Sequence, residues 1–141
     1  EKTLQYINKL KEYGSYVITS NVFGEKFSCS VKSPNYNIDD PNTYNIPIWQ
    51  NFEKAKTKVF VPTGGRTSPC NRKNSLYKYC GNQGSFSWAI PYLGGIFALA
   101  LQVKPNLIYD EFCNIAIKTA ILNDKGIIVI NPQGIIQYFN K

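Results

Sequence analysis

The chain has 141 residues, which suffices for one domain, and 43% of them are hydrophobic, a fraction typical of globular rather than disordered proteins. The formal net charge of +7 would suit an anionic partner, but no zinc-finger, glycine-aromatic or recognition-helix signature accompanies the basic residues, so we expect no nucleic acid. No unbroken apolar run reaches the roughly 18 residues of a membrane span, so we expect no membrane partner.

A short helix and a strand are predicted at the start of the chain. Apolar residues recur at helical spacing from Leu4 to Leu10, and Gly14 follows in the position that commonly ends a helix. The apolar content of residues 15–20 then predicts a strand in a sheet that is covered on both faces.

The middle of the chain is predicted to be mostly irregular. Residues 22–56 are polar and proline-containing, which indicates a functional surface loop or an insertion. Residues 57–62 predict a short strand, which Pro62 ends. Residues 66–83 are predicted to form a polar loop.

Helices alternate with strands in the last third of the chain. The segment 87–103 predicts a long helix, and apolar residues at helical spacing predict a second one that starts at Tyr109 or Asp110. A strand over 126–130 and one or two helical turns near 135–139 complete the chain. Alternation of this kind predicts an α/β fold in which a parallel sheet carries helices on both faces.

The four cysteines do not form a metal-binding pattern. No Cys-x-x-Cys pair is present and the chain contains no His, so no zinc site is predicted, and isolated acidic residues give no calcium loop. We therefore expect no metal and no cofactor. Cys113 lies on an apolar helix face and is predicted to be a buried thiol, whereas Cys70 and Cys80 bracket a loop and could form a disulfide in an exported protein.

The most informative segment runs over residues 85–95 and continues directly into an apolar helix. It places Ser87 where a Gly-rich loop turns into that helix, and Pro91 near the helix start, where a missing N–H costs little. The dipole of such a helix start favours negative charge beside Ser87. A helix N-cap is the structural alternative for this serine.

This segment resembles the nucleophile motif of the subtilisin-like serine peptidases, Gly-Thr-Ser-Met-Ala-x-Pro-x-x-x-Gly. Ser87, Ala89, Pro91 and Gly95 match the motif, whereas a register with Ser85 as the nucleophile loses the proline and glycine spacing. Four positions depart from the family pattern: Phe86, Trp88, Ile90 and Tyr92.

The resemblance implies a subtilisin-like fold, a parallel sheet covered by helices on both faces, of which residues 1–141 form the C-terminal portion of a single catalytic domain with an insertion at about 22–56. It also implies that Asn21, at the end of the predicted strand, supplies the side-chain amide that binds the oxyanion, with Ser20 as the alternative matching position. A turn-forming role is the structural alternative for Asn21.

The implied activity is that of a serine endopeptidase acting on peptide or protein substrates. Ser87 is the expected nucleophile, and its backbone N–H joins Asn21 in the oxyanion hole. Because the chain contains no His, we expect the His and Asp of the triad upstream of Glu1, in a missing N-terminal part of the catalytic domain, and expect this chain alone to be inactive. By resemblance, four further residues lie near the substrate: Thr19, Ser20, Gly64 and Gly65.

A second hypothesis comes from the bulky residues around the serine. Phe86, Trp88 and Ile90 stand where the family has threonine, methionine and a small residue. They motivate a non-catalytic member that keeps the fold as a binding or regulatory module.

Overall fold

The computed structural model describes residues 2–32, 37, 39–47, 50–64, 66–72, 75–80 and 86–140. The helices are α1 (Lys2–Glu12), α2 (Ser20–Lys26), α3 (Phe52–Ala55), α4 (Phe86–Val103), α5 (Tyr109–Thr119) and α6 (Pro132–Tyr138), with one 3₁₀ turn at Pro41–Thr43. The strands are β1 (Phe27–Lys32), β2 (Tyr44–Asn45), β3 (Val59–Pro62), β4 (Arg66–Arg72), β5 (Ser75–Cys80), β6 (Ile121–Leu122) and β7 (Ile128–Val129).

Five strands form one mixed sheet in the order β2-β1-β3-β7-β6. The three central strands are parallel, with Phe27 opposite Val59 and Val59 opposite Ile128. The two edge strands, β2 and β6, run antiparallel to their neighbours. Strands β4 and β5 form a separate antiparallel hairpin.

The predicted fold class is therefore wrong, because the sheet is mixed and its two faces are covered unequally. Alternate residues of a strand point to opposite faces, and Val59 and Val61 join a large cluster with side chains of α2, α4, α5 and α6. Phe60 points the other way, into a small cluster with Tyr44 and Ala55. Helices α2, α4, α5 and α6 thus all contribute to one face, which is not the subtilisin-like arrangement.

The long helix α4 lies at the centre of the larger cluster. It buries Ala89, Leu93, Ile96, Phe97 and Ala100, which recur every three or four residues along one side of the helix. The predictions of α4, α5, β3 and the C-terminal helical turns are confirmed. By length and composition alone α4 could also cross a membrane, which is weak evidence because the core helix of a globular domain passes the same test.

The predicted N-terminal helix is confirmed as α1, and Gly14 follows it with φ +74°. None of the residues of α1 is buried, so its apolar side chains lie on the surface. The strand predicted over residues 15–20 is wrong. Residues 15–19, all of them described, belong to no strand, and Ser20 begins α2 because the Thr19 hydroxyl caps this helix by accepting a hydrogen bond from the Val22 N–H at 3.2 Å.

Two segments predicted to be irregular contain strands. The segment 22–56 includes β1, in which the apolar residues Phe27, Cys29 and Val31 alternate with polar ones. The Ser28 hydroxyl donates to Gln50 Oε1 at 2.6 Å. The segment 66–83 contains the β4–β5 hairpin rather than a loop. The alternation in β1 is itself a strand signal, so this strand could have been predicted, whereas β4 and β5 show no regular alternation.

The register of the hairpin excludes the predicted disulfide. Cys80 lies opposite Arg66, four residues before Cys70 on β4, and Cys70 is a free thiol. At about 3.3 Å of rise per residue, this offset separates the two Cα atoms by more than the roughly 7 Å that a disulfide can span. The prediction of a buried thiol at Cys113 is confirmed.

Burial also makes Cys29 unreactive. This thiol is fully buried in β1, and loss of solvation raises its pKa from 9.0 to about 11. At pH 8 we expect iodoacetamide to alkylate Cys29 of the native protein roughly 100-fold more slowly than a thiol with the ordinary pKa, and more slowly than partly exposed Cys70. Peptide mapping after timed alkylation measures both rates. Equal rates at Cys29 and Cys70 would show that β1 is not covered as described.

Asn123 joins the β6–β7 turn to the 3₁₀ segment. Its Oδ1 accepts from the N–H groups of Lys125 and Ile127 at 3.0 and 2.8 Å, and its Nδ2 donates to the Pro41 carbonyl at 3.1 Å. Since Asn123 is buried, Asn123→Ala should lower the free energy of unfolding by about 2–4 kcal/mol in urea titrations. The matched control is Asn114→Ala, at an exposed position of α5, which should change it by less than about 0.5 kcal/mol. Equal effects of the two substitutions would contradict this role.

Candidate functional site

Ser87 lies at the rim of an apolar groove between α4 and the β4–β5 hairpin. It is the second residue of α4 and is exposed, as a nucleophile that meets a substrate must be. The groove has a volume of about 950 Å³, within the range of ligand-binding pockets. Its lining residues are Thr67, Ser68, Ser87, Trp88, Pro91, Tyr92, Gly95, Ile96 and Leu99.

One stripe of α4 forms much of this groove. Ser87, Pro91, Gly95 and Leu99 follow one another at intervals of four residues and therefore share a face of the helix. Leu99 is 52% exposed, so this face is open although the opposite face is in the core. The spacing of four residues could have placed Leu99 on the same helix face as Ser87. No sequence pattern indicates that the hairpin residues Thr67 and Ser68 line the groove.

The amino end of α4 provides the electrostatic character of the site. The aligned peptide dipoles of its 18 residues give partial positive charge to the first turn, which contains Ser87. Pro91 is the sixth residue of the helix and lacks the N–H that a helical residue donates to the carbonyl four residues before it. The site thus favours a ligand that carries or develops negative charge near Ser87.

Asn21 occupies a position that differs from the predicted one. It is the exposed second residue of α2 rather than the end of a strand. Helix α2 packs against the start of α4, because the rings of Phe23 and Phe86 lie 5.3 Å apart between centroids. This contact brings α2 beside the start of α4. Asn21, two residues before Phe23, lies on a different side of α2 and does not line the groove.

The residues predicted to lie near the substrate occupy different parts of the structure. Thr19 caps α2 and Ser20 is exposed beside it. Gly64 is buried at the carboxyl end of β3, where the Thr63 hydroxyl donates to the Ser30 carbonyl at 2.6 Å. Gly65 and Ser85 lie outside the described residues.

The titratable groups with raised pKa lie away from the groove. Burial is the main cause that raises the pKa of Cys29, Tyr109 and Cys113, and none of these three side chains lines the groove. Among the described residues, no group of three or more His, Cys, Asp or Glu side chains is close enough to hold a metal ion. A reaction at Ser87 therefore needs a base from outside the groove lining.

Comparison of the chain with protein-family models, with curated proteins and with solved structures found no match. The motif around Ser87 and the geometry of the groove are therefore the features that bear on function.

Proposed function

We propose that this chain carries the nucleophile of a serine peptidase whose catalytic base is provided by other polypeptide. The observation that carries the proposal is the exposed position of Ser87 in the first turn of α4, at the rim of a groove of about 950 Å³. The spacing of Ala89, Pro91 and Gly95 after this serine, which resembles the subtilisin-like motif, supports it.

The proposed reaction is acyl transfer. The Ser87 Oγ attacks the carbonyl carbon of a substrate peptide while its proton passes to an imidazole from outside the chain, which itself contains no His. The C–N bond of the resulting tetrahedral intermediate breaks as the imidazolium returns the proton to the leaving amine. Water then hydrolyses the ester on Ser87, which releases the acid and restores the hydroxyl.

Two groups are proposed to stabilise the oxyanion. The first is the backbone N–H of Ser87, supported by the dipole of α4. The second is the side-chain amide of Asn21, a role that rests on the resemblance to the subtilisin-like motif.

Asn21→Ala is expected to lower kcat of the peptidase by about 10²–10³-fold with little change in KM, since the lost hydrogen bond strengthens only in the transition state. Steady-state hydrolysis of a chromogenic peptide measures both constants. Ser20→Ala is the control, because Ser20 is the exposed neighbour on the same helix and the alternative match to the motif. A large fall in kcat for Ser20→Ala, with none for Asn21→Ala, would assign the oxyanion role to Ser20.

A binding module is the second candidate function. It is favoured by the apolar lining of the groove, in which Trp88 and Leu99 are 39% and 52% exposed. Such a surface binds a partner without needing chemistry at Ser87.

Cleavage of an unfolded protein distinguishes the two candidates. The protein is purified from its natural source and incubated with reduced, alkylated casein, and new amino termini are identified by mass spectrometry. We expect cleavage that pretreatment with a fluorophosphonate abolishes. Absence of cleavage would reject the peptidase and favour the binding module, and cleavage that survives the reagent would reject a serine nucleophile.

A further inference from the structure

A second cavity, of about 410 Å³, lies beside the carboxyl end of β7. Ligand sites in sheets with parallel strands are commonly found at this end of the strands, and the volume lies within the range of small-ligand pockets. Its lining residues are Asp39, Pro41, Tyr44, Tyr92, Ile121, Val129, Ile130, Asn131, Pro132 and Gln133.

Hydrogen bonds hold two walls of this cavity in place. On one side, Asn123 Nδ2 donates to the Pro41 carbonyl and the Asp124 N–H donates to Asn42 Oδ1, both at 3.1 Å, which ties the 3₁₀ segment to the β6–β7 turn. On the other side, Asn131 Oδ1 accepts from the Gly134 N–H at 2.9 Å, and its Nδ2 donates to the Thr119 carbonyl at 3.1 Å. The cavity is therefore formed before any ligand enters.

The lining has the chemistry of a cation site. Among the described residues that line the cavity, Asp39 is the only charged one. The backbone N–H of Asp39 donates to Asn37 Oδ1 at 3.0 Å, and within the described part of the chain its carboxylate has no ion pair. Tyr44 and Tyr92 also line the cavity, and aromatic residues favour a cation nearby.

Apolar side chains complete the cavity. Ile121, Val129 and Ile130 lie among its lining residues and provide surface for a short hydrocarbon chain. We infer that this cavity binds a primary alkylammonium group, from a free amine or from a lysine side chain. This inference does not depend on chemistry at Ser87.

Titration of the ¹⁵N-labelled protein with n-butylammonium chloride tests the inference, with 1-butanol as the neutral probe of similar shape. We expect the amide resonances of residues around the cavity, those of Asn131 and Gln133 among them, to shift and saturate with n-butylammonium and not with 1-butanol. The variant Asp39→Asn should raise the Kd for n-butylammonium about tenfold or more, because an ionic hydrogen bond is lost.

The matched control is Asp124→Asn, at an exposed aspartate on the neighbouring turn that does not line the cavity; it should leave the Kd unchanged. Equal shifts with 1-butanol, no shifts with n-butylammonium, or equal Kd values for Asp39→Asn and the wild type would overturn the inference. A parallel titration with Nα-acetyl-lysine methylamide distinguishes the sources: binding as tight as that of n-butylammonium assigns a lysine side chain, and weaker binding assigns a free amine.

Discussion

Replacement of Ser87 by alanine is expected to lower kcat/KM of the peptidase by at least about 10⁴-fold, the largest effect that the proposed function predicts. The hydroxyl is the only group proposed to form the covalent ester, so no neighbouring side chain can replace it. Because Ser87 is exposed, its loss should leave the free energy of unfolding within about 0.5 kcal/mol of the wild-type value. Hydrolysis of a chromogenic peptide, together with urea denaturation, separates the two quantities.

The matched control is Ser85→Ala, which removes the other serine of the motif segment and should retain activity within about threefold. Activity of Ser87→Ala within tenfold of the wild type would remove Ser87 from the mechanism. Loss of activity with Ser85→Ala alone would move the nucleophile to residue 85.

Replacement of Phe112 by alanine is expected to lower the free energy of unfolding by about 3–5 kcal/mol. Phe112 is fully buried in α5, and its ring centroid lies 5.0 Å from that of Phe97 in α4 and 6.1 Å from that of Tyr109. Truncation would leave a cavity at the contact between the two longest helices of the core. Urea denaturation followed by far-ultraviolet circular dichroism measures the loss.

Ile117→Ala provides the control on the same helix, since Ile117 is 45% exposed and its truncation should cost less than about 1 kcal/mol. A loss at Phe112 no larger than the loss at Ile117 would show that α5 does not pack on α4 as described.

The elements that could be predicted from the sequence are those whose apolar residues follow a single period. Helix α4 repeats Ala89, Leu93, Ile96 and Ala100 along one face, and α5 repeats apolar residues in the same way, so both helices were located. Strand β3 is apolar at every position and ends in proline, and these two features are enough to predict it.

The remaining elements depend on contacts that periodicity does not record. Strand β1 is an exception, because its apolar residues alternate with polar ones and could have marked it. Residues 15–20 resemble a strand in composition, yet the hydroxyl of Thr19 caps a helix that begins at Ser20. Strands β2 and β6 have two residues each, too few to show alternation, and these two strands make the sheet mixed.

The candidate site could be predicted only in part. The motif located Ser87 at a helix start, and the structure confirms that position. The hairpin wall of the groove could not be predicted, because nothing in the sequence around Thr67 and Ser68 indicates that these strand residues line a groove with α4. The roles of Ser87 and Asn21 remain predictions.

Labelling by a fluorophosphonate tests most directly whether Ser87 is a nucleophile, because the reagent forms a stable bond only with an activated serine hydroxyl. The protein from its natural source is labelled and digested with trypsin, and tandem mass spectrometry of the peptide that spans residues 79–118 locates the adduct. If Ser87 is an activated nucleophile, we expect an adduct on Ser87 that is absent from heat-denatured protein. An unlabelled peptide in the native protein, or an adduct on another residue, would contradict it.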